Sequence, residues 1–232
     1  LALVAGQTTG VEEKLRAAEA ALQDVELNDQ TRNLIGQIAA ARATLALTHY
    51  QPETMLIQSR RALKYLPLDN LAFRFTANWV LSHAYQLQGD RAASAQALTE
   101  AAAISQASGD MFSTILALDG LGLIQELENQ LHRAAETYRR VLQLEGDQPI
   151  PNAAETNLGL ARIYYEWNDL ETAERHGQRS LQLARQYDRA IDRFVISEVF
   201  LARLKLAQGD AVGAIALLTQ TEQAARRNNF VH

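Results

Sequence analysis

Residues 156–185 read TNLGLARIYYEWNDLETAERHGQRSLQLAR, two amphipathic runs that meet at Asn168-Asp169. Asn tolerates the left-handed backbone that closes a helix, and Asp caps the helix that follows, so this spacing predicts helix, tight turn, helix. Gly89-Asp90 and Gly209-Asp210 repeat the punctuation, Asn129-Gln130 is a weaker version, and Tyr50 stands where one more is expected. The positions 50, 89, 129, 168 and 209 lie 39, 40, 39 and 41 residues apart. Ser108-Gly109-Asp110 and Tyr187-Asp188 fall near the half-period, so each period reads as a pair of helices.

Aligning the periods on these turns exposes a packing code. Seven residues before the turn stand Ala43, Ser82, Gly122, Ala161 and Ala202. Five after it come Met55, Ser94, Ala134, Ala173 and Ala214, and twelve after it Ala62, Ala101, Val141, Ser180 and Thr221. Leu81, Leu121, Leu160 and Leu201 recur beside them. Small residues at fixed places let paired helices approach closely while large neighbours fill the grooves. Helix pairs that contact only their neighbours build an all-α solenoid, a right-handed superhelix with about 40 residues per pair.

The resulting map has helices at 10–25, 29–48, 52–66, 69–88, 90–107, 110–128, 130–144, 152–167, 169–186, 188–208 and 210–227. It is expected to be a single domain over 1–232, with a leading half-repeat at 10–28 and pairs at 29–68, 69–108, 109–149, 150–187 and 188–228. The one sizeable loop runs from Glu145 to Asn152. The chain opens on Leu1 with no basic leader segment and starts on an orphan second helix, so it reads as a piece of a longer protein.

Composition narrows the function classes. Without Cys there is no disulfide scaffold, thiolate metal site or cysteine nucleophile, which fits a reducing cytoplasm. A net charge of −5 argues against direct nucleic-acid contact. No apolar run reaches 18 residues, so no membrane span is expected.

The small–large pattern resembles tetratricopeptide repeats, with Tyr85 and Tyr164 where such repeats often carry an aromatic. Their usual period is about 34 residues, so longer helices are expected here. The run from Tyr165 to Glu171, followed by Ala173, Glu174 and His176, resembles the helical-repeat region of MalT-like, LuxR-class ATP-dependent transcriptional regulators. Leu87–Asp90, Ala107–Asp110 and Leu204–Asp210 support it. The resemblance implies a region that senses a small-molecule inducer or a regulatory protein and supports self-association. An ATPase would precede it and a DNA-binding helix-turn-helix would follow. The alternative is a tetratricopeptide scaffold that assembles other proteins.

This chain contains no G-x-x-x-x-G-K-[ST] phosphate loop, so no nucleotide cofactor is assigned to it. His49, His83, His132, His176 and His232 form no H-x-x-x-H pair, and no G-x-S-x-G elbow activates a serine. Neither a catalytic nor a metal site is therefore expected. Short basic pairs at Arg60-Arg61 and Arg226-Arg227 lie toward helix C-termini, where the dipole favours cations. In the resembled family the first helix of each pair lines the concave face. That inner-face spacing selects Trp79 and His83, Asp119 and Glu126, Glu155, Arg162 and Tyr165, and Arg203, with Arg74 about a turn before Trp79. Cations, carboxylates and aromatics in one groove suit a polar ligand or a peptide.

Overall fold

The computed structural model describes residues 10–146, 153–187 and 193–227. These form helices and turns only: α1 (Val11–Ala20), α2 (Asp29–Thr48), α3 (Pro52–Tyr65), α4 (Leu71–Leu87), α5 (Arg91–Ser108), α6 (Met111–Leu127), α7 (Leu131–Glu145), α8 (Ala153–Glu166), α9 (Leu170–Tyr187), α10 (Arg193–Ala207) and α11 (Ala211–Arg227). The all-α class follows directly from the period. The helix starts expected at Asn152 and Asp188, most of the loop to Asn152, and His232 lie outside the described residues.

All five punctuation residues have positive φ: Tyr50 51°, Gly89 79°, Asn129 58°, Asn168 59° and Gly209 87°. Each turn closes in the same way. The next N–H donates to the carbonyl five residues back, Gln51 to Ala46 (3.0 Å), Asp90 to Tyr85 (2.9 Å), Gln130 to Gln125 (2.8 Å), Asp169 to Tyr164 (2.9 Å) and Asp210 to Lys205 (2.9 Å). The acid that follows then caps the new helix, with Asp90 accepting from Ala93 N–H (3.0 Å), Asp169 from Thr172 (3.1 Å) and Asp210 from Gly213 (2.8 Å). One turn thus satisfies both the orphan carbonyls behind it and the orphan N–H groups ahead.

Within the described residues two boundaries differ from expectation by more than one residue. The first helix ends at Ala20 rather than Val25, because the hydrogen bonds tighten to i−3 at Leu22 and Gln23. The fourth starts at Leu71, since Asn70 rather than Asp69 supplies the capping carbonyl, to Phe73 N–H.

The chain divides into two compact units, Leu1–Ile124 and Gln125–His232, with the boundary inside α6. In the first, α2 packs on α3, α4 on both, and α5 on α4. In the second, α7 packs on α8, α8 on α9, α10 on both, and α11 on α10. All fifteen aligned code positions are buried. Gly159, outside the code, shows the same need for a small residue where helices meet, since a Cβ there would overlap the ring of fully buried Tyr138 across the α7–α8 contact.

Candidate functional site

The expected groove residues lie on the first helix of each pair, and each unit arranges its own set. In the second unit Glu126 and Arg162 meet side-on. Arg162 Nε donates to Glu126 Oε1 at 2.6 Å and Nη2 to Oε2 at 3.0 Å, the two-point fork that fixes guanidinium orientation. Glu155 stands 3.8 Å from the same guanidinium, and the hydroxyl of Tyr138 donates to Glu126 at 3.3 Å. Burial pushes the Arg162 pKa down, but Glu126, Tyr138 and Glu155 outweigh it, so the group stays charged with its pKa above the usual value.

A repeat further on, Arg203 lies over the Tyr165 ring at 4.4 Å and reaches Glu166 at 3.4 Å. Tyr165 in turn meets the edge of Phe200, with ring centroids 6.2 Å apart. Arg162 keeps 25% of its side chain exposed and Arg203 keeps 58%. Arg203 is therefore the more accessible of the two cations. The five expected residues of this unit thus form two adjoining groups, one around Arg162 and one around Arg203.

In the first unit the expected set does not converge. Trp79 and His83 pack ring to ring at 4.4 Å. His83 Nδ1 lies 2.8 Å from the Trp79 carbonyl and so carries the proton. Burial lowers the His83 pKa, only partly offset by that hydrogen bond, which leaves the ring neutral at pH 7. Arg74 points elsewhere. Its Nη1 donates to the carbonyls of Leu66 (3.2 Å) and Leu63 (3.4 Å), serving the end of α3. Asp119 is buried at 5% exposure.

Other basic residues have duties beyond the helix dipole. Arg60 donates to the Tyr85 hydroxyl at 3.0 Å and covers its ring, and Arg139 does the same to Tyr164 at 3.0 Å. Both pairs occupy equivalent places, ten residues after one turn and four before the next. The aromatic position of the repeat is thus an arginine-bridged joint between successive pairs. His132 stacks on Trp167 and His176 on Tyr164, which are packing roles.

Inner-face spacing could not find Tyr138, which sits on a second helix, or Glu166, one residue past Tyr165. Gly159 is the signal for Tyr138, because a glycine within a helix marks close approach by a large neighbour. None of the expected residues lines the 790 Å³ cleft around Tyr65, between the ends of α2, α3 and α4, or the 520 Å³ cleft between α1, α2 and α3. Among the described residues no group of three His, Asp or Glu could hold a metal ion. None of the described helices is long and apolar enough to cross a membrane.

A family model described as the MalT-like TPR region matches residues 36–232. The HTH-type transcriptional regulator MalT of Serratia proteamaculans (strain 568) is 24% identical over 211 residues, covering 90% of this chain and 23% of its own length. The chain therefore spans about a quarter of that curated relative. Among solved structures, BtubC of P. vanneervenii aligns with a TM-score of 0.72 at 17% identity, covering 97% of this chain and 94% of that one. The apo quorum sensor NprR of B. thuringiensis reaches 0.76 at 14% identity, covering 97% and 62%. NprR in complex with its cognate peptide NprX reaches 0.65 at 15%, covering 97% and 64%. These structural likenesses establish a shared helical-repeat fold. With the turns, the buried small-residue code and the family match over most of its length, the chain belongs to the MalT-like TPR region family.

Proposed function

We propose that this chain is the effector-sensing segment of a MalT-like bacterial transcriptional activator, acting in the cytoplasm. It binds a small-molecule inducer or a regulatory protein along its first helices and thereby controls self-association of the parent protein. The carrying observation is the pairing of exposed Arg203 with the Tyr165 ring. A cation held over an aromatic ring, with Arg162 one repeat behind, offers donors to a carboxylate and a face for stacking. The segment itself performs no chemistry. Its ligand changes which arrangement of the parent is populated, by binding two arrangements with different affinity.

Titration calorimetry of the purified chain against sugars, metabolites and short peptides tests this reading. Saturable binding that weakens at least tenfold in Arg203→Ala supports it. A folded chain that binds none of them moves sensing elsewhere in the parent. The likeness to NprR, whose structure was solved with a peptide, favours including peptides. A stable complex with a protein alone, lost in Arg162 and Arg203 variants, supports the scaffold reading instead.

A further inference from the structure

α1 differs from the other helices in how it is held. None of its residues is buried; Val11 and Leu15 are only half covered, as is Leu22 just beyond it. Ten residues are too few for a helix to be stable alone in water. Charge holds it in place. Glu19 pairs with Arg42 and lies 2.6 Å from Arg61, while Glu12 reaches Arg42 at 3.6 Å. The two carboxylates are seven residues apart, two turns along one face. Burial alone would raise the Glu19 pKa, but hydrogen bonds and charge from Arg42 and Arg61 take it below its ordinary value.

The arginine side of this contact is incompletely used. Glu12 and Glu19 engage only the terminal nitrogens of Arg42, whose side chain is 14% exposed. Its Nε is buried and donates to nothing. The Arg162–Glu126 fork shows what a carboxylate does when it approaches from the side, occupying Nε and Nη2 together. The 520 Å³ cleft beside Arg42 is also lined by Gln58, whose Oε1 is likewise buried without a donor. A built receptor for a carboxylate and an N–H donor is therefore present, and α1 fills it only in part.

We propose that α1 is a displaceable internal ligand, and that α2 and α3 form a docking surface for an acidic helix of a partner protein with carboxylates two turns apart. The partner helix replaces Glu12 and Glu19, takes Arg42 side-on through Nε, and supplies a donor to Gln58. This inference is independent of the groove reading above, since none of its residues belongs to the groove.

The test uses the full chain and a synthetic peptide of residues 10–22. Hydrogen exchange of the α1 amides should accelerate severalfold between 50 and 500 mM NaCl, as these partly exposed ion pairs are screened in part. The α2 and α3 amides should not change. The Glu12→Gln/Glu19→Gln chain should show the faster α1 exchange already at low salt. It should bind the labelled peptide at least tenfold more tightly than the unsubstituted chain, whose own α1 competes. Arg61→Gln in that background, a change at a half-exposed side chain that keeps most of its volume, should weaken peptide binding severalfold. Salt-independent α1 exchange, or equal peptide binding to the two chains, overturns the proposal.

Discussion

Glu126 and Arg162 join successive first helices in a register that Tyr165 and Arg203 repeat one period later. In each pair one member lies three residues before its turn and the other six before the next. The first rung is a carboxylate–guanidinium fork and the second a guanidinium on a phenol ring. Geometry is constant while chemistry changes, as expected when the backbone code sets helix spacing and the inner positions are free to vary.

Arg162→Ala should destabilise the chain by about 2 kcal/mol, because it strands Glu126 and Glu155 together with no cation between them. Glu126→Gln/Arg162→Met should cost less than the sum of Glu126→Gln and Arg162→Met, since removing both partners leaves only the part-exposed Glu155 without its cation. Urea unfolding of Arg162→Ala, of the two single variants and of the double variant measures both.

Arg203→Ala should behave oppositely. Its partner Glu166 is 52% exposed, and such pairs typically contribute about 0.5 kcal/mol. Unfolding midpoints should therefore stay within 2 °C or so of the unsubstituted chain. Intrinsic binding of any groove ligand should fall at least tenfold. A large loss of stability would instead make Arg203 a structural residue.

Gly159→Ala should cost about 1–3 kcal/mol, because the new methyl overlaps the buried Tyr138 ring and packed helices resist added volume. Tyr138→Leu should restore much of the loss by removing the ring atoms that a Cβ meets. Calorimetric melting of the single and double variants separates this clash from loss of the Tyr138–Glu126 hydrogen bond, which Tyr138→Phe removes alone.

Much of the fold was legible because its requirements are local. A left-handed residue followed by an acid suits few residue types, so Gly89-Asp90, Asn168-Asp169 and Gly209-Asp210 announce themselves; Tyr50 is legible only through its distance from them. The groove residues were legible as positions but not as partners. Glu126 and Arg162 are 36 residues apart, and their fork depends on the distance between two helices that neither segment encodes alone. Arg74 escaped for another reason. α3 ends at Leu66 in extended conformation (φ −68°, ψ 130°), without a glycine turn to bond its last carbonyls, and the nearest guanidinium is drawn to them. Spacing along a single helix cannot see the unfinished end of another. The division inside α6 has no counterpart in the period, which continues through it.

Glu145 should make stability pH-dependent. Burial raises its pKa to about 7, with Arg179 only partly opposing, against 4.5 for an ordinary glutamate. A carboxyl with a raised folded-state pKa binds its proton more tightly in the native state. Its contribution to stability is thus complete below pH 4.5, declines as pH rises from 4.5 to 7, and stays low above that. Glu145→Gln keeps the neutral shape at every pH. The variant should match the unsubstituted chain near pH 4.5 and melt about 2–4 °C higher at pH 8, a gap that includes the solvent access of this half-buried group. Paired melting curves at several pH values measure the gap directly, and one that is constant with pH would show that Glu145 is not the titrating group.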